Sequence, residues 1–123
     1  MPCRKLKYGN LSLPKGFRKM LAKTGQYADV IHSHGIWSLV CHDAAFFSKT
    51  LSVPHVISPR GMLEESALRR SAWKKVIAKY CYVLKNLKAA QCIHALTAQE
   101  AMSIRRMGLK NPIAIIPNGI SLE

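Results

Sequence analysis

The sequence predicts an α/β domain: a Rossmann-like parallel sheet with helices on both faces. Three observations carry this. Short apolar runs of four to six residues alternate with longer segments whose apolar groups recur at steps of three and four. Each apolar run stops at a polar or glycine-bearing turn. At 123 residues and 49% apolar content, the chain has the length of one domain and enough apolar surface for a core. Continuous apolar strands alternating with helices are what a covered parallel sheet requires.

The elements follow in order. From about Leu13 to Thr24, Phe17, Met20 and Leu21 make a short helical stripe closed by Gly25. Ala28 to Ser33 reads as a buried strand, broken at His34-Gly35. Leu39 to Thr50 is a helix with Val40, Ala44 and Phe47 on one face, and Val53-Pro54 ends it. His55 to Ser58 is the next strand, stopped by Pro59-Arg60-Gly61. The longest helix spans about Ala67 to Ala90. Trp73, Ile77, Tyr80, Leu84 and Leu87 form its stripe, and Lys74, Lys75, Lys79, Lys85 and Lys88 lie off it. Cys92 to Leu96 is a strand. Thr97 and Glu100 then have the spacing of a capping box, with Thr97 accepting from the Glu100 amide and Glu100 reaching back to the Thr97 amide. That helix ends near Gly108, and Ile113 to Ile116 is the last strand before Pro117-Asn118-Gly119. The first dozen residues give no clear pattern.

Composition narrows the function classes. No apolar run is long enough for a membrane-spanning helix, and the basic start lacks the apolar segment of a secretory signal. The four cysteines are scattered without a C-x-x-C pair, as expected of buried free thiols in a reducing cytoplasm. Nineteen Lys and Arg against six Asp and Glu give a formal charge of +13, concentrated in acid-free stretches from Arg4 to Lys23 and from Arg69 to Lys88. Such a surface attracts nucleic acid, anionic lipid or phosphorylated ligands. The lysine face of the helix from 67 to 90 is the candidate membrane contact. Nucleic acid is the weaker partner, because the aromatics lie on the apolar stripe rather than among the lysines.

In a parallel sheet with right-handed crossovers all strands exit at one edge, and ligands bind beyond it. The exits here are Ser33-His34-Gly35, Ser58-Pro59-Arg60-Gly61, Leu96-Thr97 and Pro117-Asn118-Gly119. The candidate binding residues are therefore His34, Gly35, Arg60, Gly61, Thr97, Asn118 and Gly119; none is assigned a catalytic role. His32 and His34 share a strand face, but no third ligand at suitable spacing supports a metal. His55 and His94 read as structural, and His42 as a helix-surface residue. No G-x-S-x-G elbow and no phosphate-binding P-loop is present.

Three segments in this order, ADVIHSHGIWS, PHVISPRGMLEESAL and CIHALTAQEAMSIRRMGLKNPIAIIPNGI, resemble the N-terminal half-domain of family 4 glycosyltransferases with the GT-B fold. The resemblance runs from about Leu13 to the end. It implies retaining transfer of a hexose type from a nucleotide-sugar to a polysaccharide or lipid-linked acceptor, with no metal or other cofactor. It also implies a cytoplasmic enzyme, peripheral on the inner face of the membrane. His34-Gly35 would line the cleft floor. Arg60-Gly61 would lie near the transferred sugar, where many members carry a histidine. Thr97 would cap a helix facing the cleft, and Asn118-Gly119 would lead to the interdomain hinge. On this resemblance residues 1–123 are one partial, acceptor-side domain. The opening strand and the nucleotide-binding domain are expected in a missing domain or a split partner, and the chain alone is expected to be inactive.

Overall fold

The computed structural model describes residues 5–8, 11–63 and 73–120, with side chains from 15 to 63 and from 80 to 120. A hairpin comes first: β1 (Lys5–Tyr8) pairs antiparallel with β2 (Leu11–Pro14). Then follow α1 (Phe17–Gly25), β3 (Ile31–His34), α2 (Leu39–Leu51) and β4 (His55–Ser58). α3 (Trp73–Ala89), β5 (Cys92–Ala95), α4 (Ala98–Arg106) and β6 (Ile113–Ile115) complete the chain. β3, β4, β5 and β6 form one parallel sheet in that order. The α/β, Rossmann-like class is as the sequence predicts.

The first element departs from expectation. Residues 13 and 14 close a hairpin rather than open a helix. Pro14 suits a strand end, and Gly16 at φ 80 takes a left-handed conformation that blocks helix continuation, so α1 begins only at Phe17. Other boundaries shift by one to three residues. Residues 67 to 72 of the long helix, and the side chains of Trp73, Lys74, Lys75, Ile77 and Lys79, lie outside the described residues.

The core sits on one face of the sheet. Ile57, Ile93 and Ala95 point to that face and pack with Val83 and Leu87 of α3 and Ala101 and Ile104 of α4. Ile31, in register with His55 on the same face, packs with Ala44 of α2 and with Val53. The expected cover on both faces is therefore not found among the described residues: α2, α3 and α4 all lie on one side. Strand order explains it. When parallel strands follow chain order in one direction, right-handed crossovers place every connecting helix on the same face. The helix pair α1–α2 is fixed by Arg18, whose Nε and Nη2 donate to the buried Asp43 carboxylate at 2.8 and 2.9 Å.

Local caps hold the connections. Ser38 accepts from the Cys41 amide at the start of α2. The Asn111 side chain donates to the carbonyls of Leu87 and Ala90, closing the end of α3. Of the described cysteines all are free, but only Cys41 is buried; Cys81 is exposed, against expectation, because it lies off the apolar stripe of α3. No described helix is long and apolar enough to cross a membrane.

Candidate functional site

The parallel register brings the exits of β3, β4, β5 and β6 to a common edge, and hydrogen bonds join each to the next. The Gly35 amide donates to the Ser58 carbonyl, and the Ile116 amide to the Ala95 carbonyl. Gly35 sits at φ 87, a conformation that suits glycine at this sharp exit. Arg60 is more unusual, being a non-glycine residue at φ 53, followed by Gly61 at φ 73. Such a backbone costs about 1 kcal/mol and needs outside support.

Glu100 supplies that support. Its side chain is 2% exposed, with Oε1 accepting from the Gly61 amide and Oε2 from the Leu96 amide, both at 2.7 Å. The Thr97 hydroxyl accepts from the Glu100 amide at 3.1 Å, as the capping box predicts. The reciprocal half differs: the carboxylate passes over the Thr97 amide and instead bridges the exits of β4 and β5. One buried carboxylate thus fixes the Arg60-Gly61 loop against the start of α4. Sequence spacing signalled the cap but could not reveal the second partner, 39 positions away.

The sheet face opposite the helices, open among the described residues, carries a polar cluster. His32 and His34 alternate on β3, Ser58 lies beside them on β4, and His94 lies on β5. Ser58 Oγ is 2.7 Å from both His32 Nε2 and His94 Nδ1. His94 Nε2 lies 2.8 Å from the Ile116 carbonyl. A carbonyl only accepts, so that nitrogen carries the proton. In the neutral ring Nδ1 then accepts from the Ser58 hydroxyl, and Ser58 accepts from His32 Nε2–H. The chain of bonds runs one way and ends on the loop after β6. Separately, Arg60 Nε donates to His34 Nδ1 at 3.3 Å, leaving the His34 proton on Nε2. The His32 and His34 ring centres are 4.4 Å apart. Burial, then the nearby His34, His94 and Arg60, lowers the His32 pKa.

Of the sequence candidates, His34, Gly35, Arg60 and Gly61 come together, and Thr97 joins them through Glu100. Asn118 and Gly119 are exposed beyond β6, where the His94–Ile116 bond holds the preceding strand end. Ser58, His94 and Glu100 were not among the candidates. His94 has internal links of the kind expected of a structural residue, joining Ser58 of β4 to the carbonyl after β6. The available signal was the alternation of His32, His34 and His94 with apolar neighbours, which marks one polar face. His55 behaves as expected: it faces the core, 2.9 Å from Ser33 Oγ. His42 lies on α2 as expected but is half-buried, with Nδ1 3.2 Å from Asn86 Nδ2.

Among the described residues no group of three His, Cys, Asp or Glu is placed to hold a metal ion. An open groove of about 530 Å³ along α4 and β6 lies away from these residues and is lined mainly by apolar groups with Arg105 and Arg106. It lacks converging polar groups, so the strand exits are the better candidate site.

The family model described as a glycosyl transferase 4-like domain matches residues 2–119. No curated protein gives a significant match.

Proposed function

Because the chain belongs to the glycosyl transferase 4-like family, we propose that it forms the acceptor-side wall of a sugar-transfer cleft. The reaction is retaining transfer of a hexose from a nucleotide-sugar to a polysaccharide or lipid-linked acceptor, without a bound metal or cofactor. The nucleotide is held by a second domain, in a longer protein or on a companion chain. These 123 residues alone have little or no turnover.

The observation that carries this proposal is the linked edge. Four strand exits meet on one side, and Glu100 fixes the loop that presents Arg60 beside His34. The exposed donors of Arg60 and His34 suit sugar and phosphate oxygens, while Gly35 and Gly61 allow an acceptor near the backbone. Thr97, Asn118 and Gly119 flank that surface.

Amide spectra of the labelled chain provide the test. A short oligosaccharide acceptor is expected to move the resonances of Gly35, Gly61, Thr97 and Gly119, with no transfer from any nucleotide-sugar. Ordinary enzymatic turnover by the chain alone would sink the two-part reading, and shifts confined to the α4–β6 groove would sink the site.

The proposed location is cytoplasmic and peripheral, with the basic helix against an anionic membrane. Lys85 and Lys88 are exposed on the described part of that helix, which supports this placement. Vesicle sedimentation tests it: binding should require anionic lipid and weaken with salt. Equal binding to neutral vesicles would remove the membrane role.

A further inference from the structure

The open face holds more hydrogen-bonding capacity than its internal bonds use. Among the described residues Arg60 commits only Nε, to His34, and both terminal amino groups of its exposed guanidinium have no partner there. His34 presents its Nε2–H, since its Nδ1 accepts from Arg60. The His32 ring lies 4.4 Å from the His34 ring, and its Nε2 is engaged with Ser58, so its Nδ1 is the remaining polar atom. That atom accepts from a ligand hydroxyl or, when protonated, donates to a ligand oxygen.

No described acid neutralises this group. Asp43 is paired with Arg18, and Glu100 is engaged by the Gly61 and Leu96 amides. Asp29 precedes β3, at the opposite end of the strand from the exits. A guanidinium fork, an imidazole N–H and a second imidazole are thus neighbours on one face. A carboxylate offers two oxygens to such a set, whereas a phosphate monoester offers three. The positive φ of Arg60, held by the Glu100 bridge, keeps the fork beside His34 instead of leaving it on a free surface loop.

We propose that His32, His34 and Arg60 bind the phosphate monoester of a phosphorylated acceptor on the open face of the sheet. The source of the phosphate rests on the acceptor-side reading above; the anion site itself does not. Burial lowers the pKa of His32, so its neutral Nδ1 accepts from the hydroxyl of a singly ionised phosphate while Arg60 and His34 donate to the other oxygens. Ser58 and His94 are positioning residues: they hold the His32 ring through Nε2 and leave the other nitrogen outward.

The test follows the histidine ring resonances of the full chain, assigned with single variants, at matched ionic strength. The probes are butyl phosphate, uridine diphosphate and sodium acetate. Butyl phosphate should shift His32 and His34 saturably and leave the core His55 unmoved. Arg60→Lys keeps the charge but loses the fork, and should weaken binding about tenfold, the factor set by one charge-assisted hydrogen bond. Arg60→Gly relieves the positive φ and should abolish the shift while the protein melts as before, which separates lost binding from lost folding. Acetate binding as tightly as butyl phosphate would overturn the phosphate assignment. An unchanged affinity in Arg60→Lys would mean diffuse attraction to the lysine-rich surface and would overturn the site. Tighter binding of uridine diphosphate would leave an anion site but overturn its assignment to the acceptor, and with it the acceptor-side reading.

Discussion

The two faces of the parallel sheet use alternate residues of the same strands for opposite purposes. On the covered face, Ile57, Ile93 and Ala95 are at most 3% exposed under α3 and α4. On the open face, His32, His34 and His94 share polar contacts with Ser58 and Arg60. Histidine makes the contrast sharpest. His55 lies in the core, where burial and secondarily the charge of His32 hold its pKa down to about 4. The core His55 is a neutral packing group, whereas His32 and His34 on the opposite face each use one ring nitrogen in the described hydrogen bonds. Apolar packing and polar contacts are thus divided between faces only one side chain apart in sequence.

The largest expected effect is on the covered face. Ile93 is fully buried, so Ile93→Ala should lose about 2–5 kcal/mol in urea unfolding, from lost transfer energy and the cavity left behind. A loss below about 1 kcal/mol would break the assignment of the core to this side.

Acid unfolding comes next. Between pH 6.5 and about 4 the unfolded chain binds a proton at His55 that the folded chain refuses. The contribution is therefore complete above pH 6.5 and is lost as pH falls towards 4. His55→Gln should flatten the dependence of the urea midpoint across this window. His32→Gln tests the open face in the same range, and a larger flattening there would reverse the comparison.

Glu100 joins the two regions, since it is buried in the core but holds the loop that carries Arg60. In Glu100→Gln the amide end must face one backbone N–H, donor against donor, at about 2 kcal/mol. The Gly61 amide resonance should move with it. A stable variant with Gly61 unmoved would show that the bridge does not set the loop. The smallest effect belongs to the open face: His34→Gln should alter stability by no more than about 0.5 kcal/mol, read by thermal melting.

Much of this molecule was legible in the order of residues. The strand at His55 to Ser58 has its predicted limits, and the helix from Leu39 ends one residue later than expected. Thr97 caps α4 as its spacing indicates. These features depend on neighbours within a turn or a strand, where periodicity and capping chemistry act. The hairpin of β1 and β2 was missed because the first dozen residues carry no alternation strong enough to define a face. The partners of His94 are not legible in the sequence, because Ser58 lies 36 positions earlier and Ile116 22 positions later.

The sequence by itself determined the alternation of helix and strand, the polar and glycine-bearing exits, and their meeting on one edge once the sheet is parallel. The tertiary structure decided which face stays open, where the second oxygen of Glu100 goes, and which histidines meet. The reason is physical: local patterns fix periodicity and caps, but strand order and register set partners across tens of residues. Only that long-range pairing places Arg60 beside His34 and leaves their remaining donors on the uncovered side.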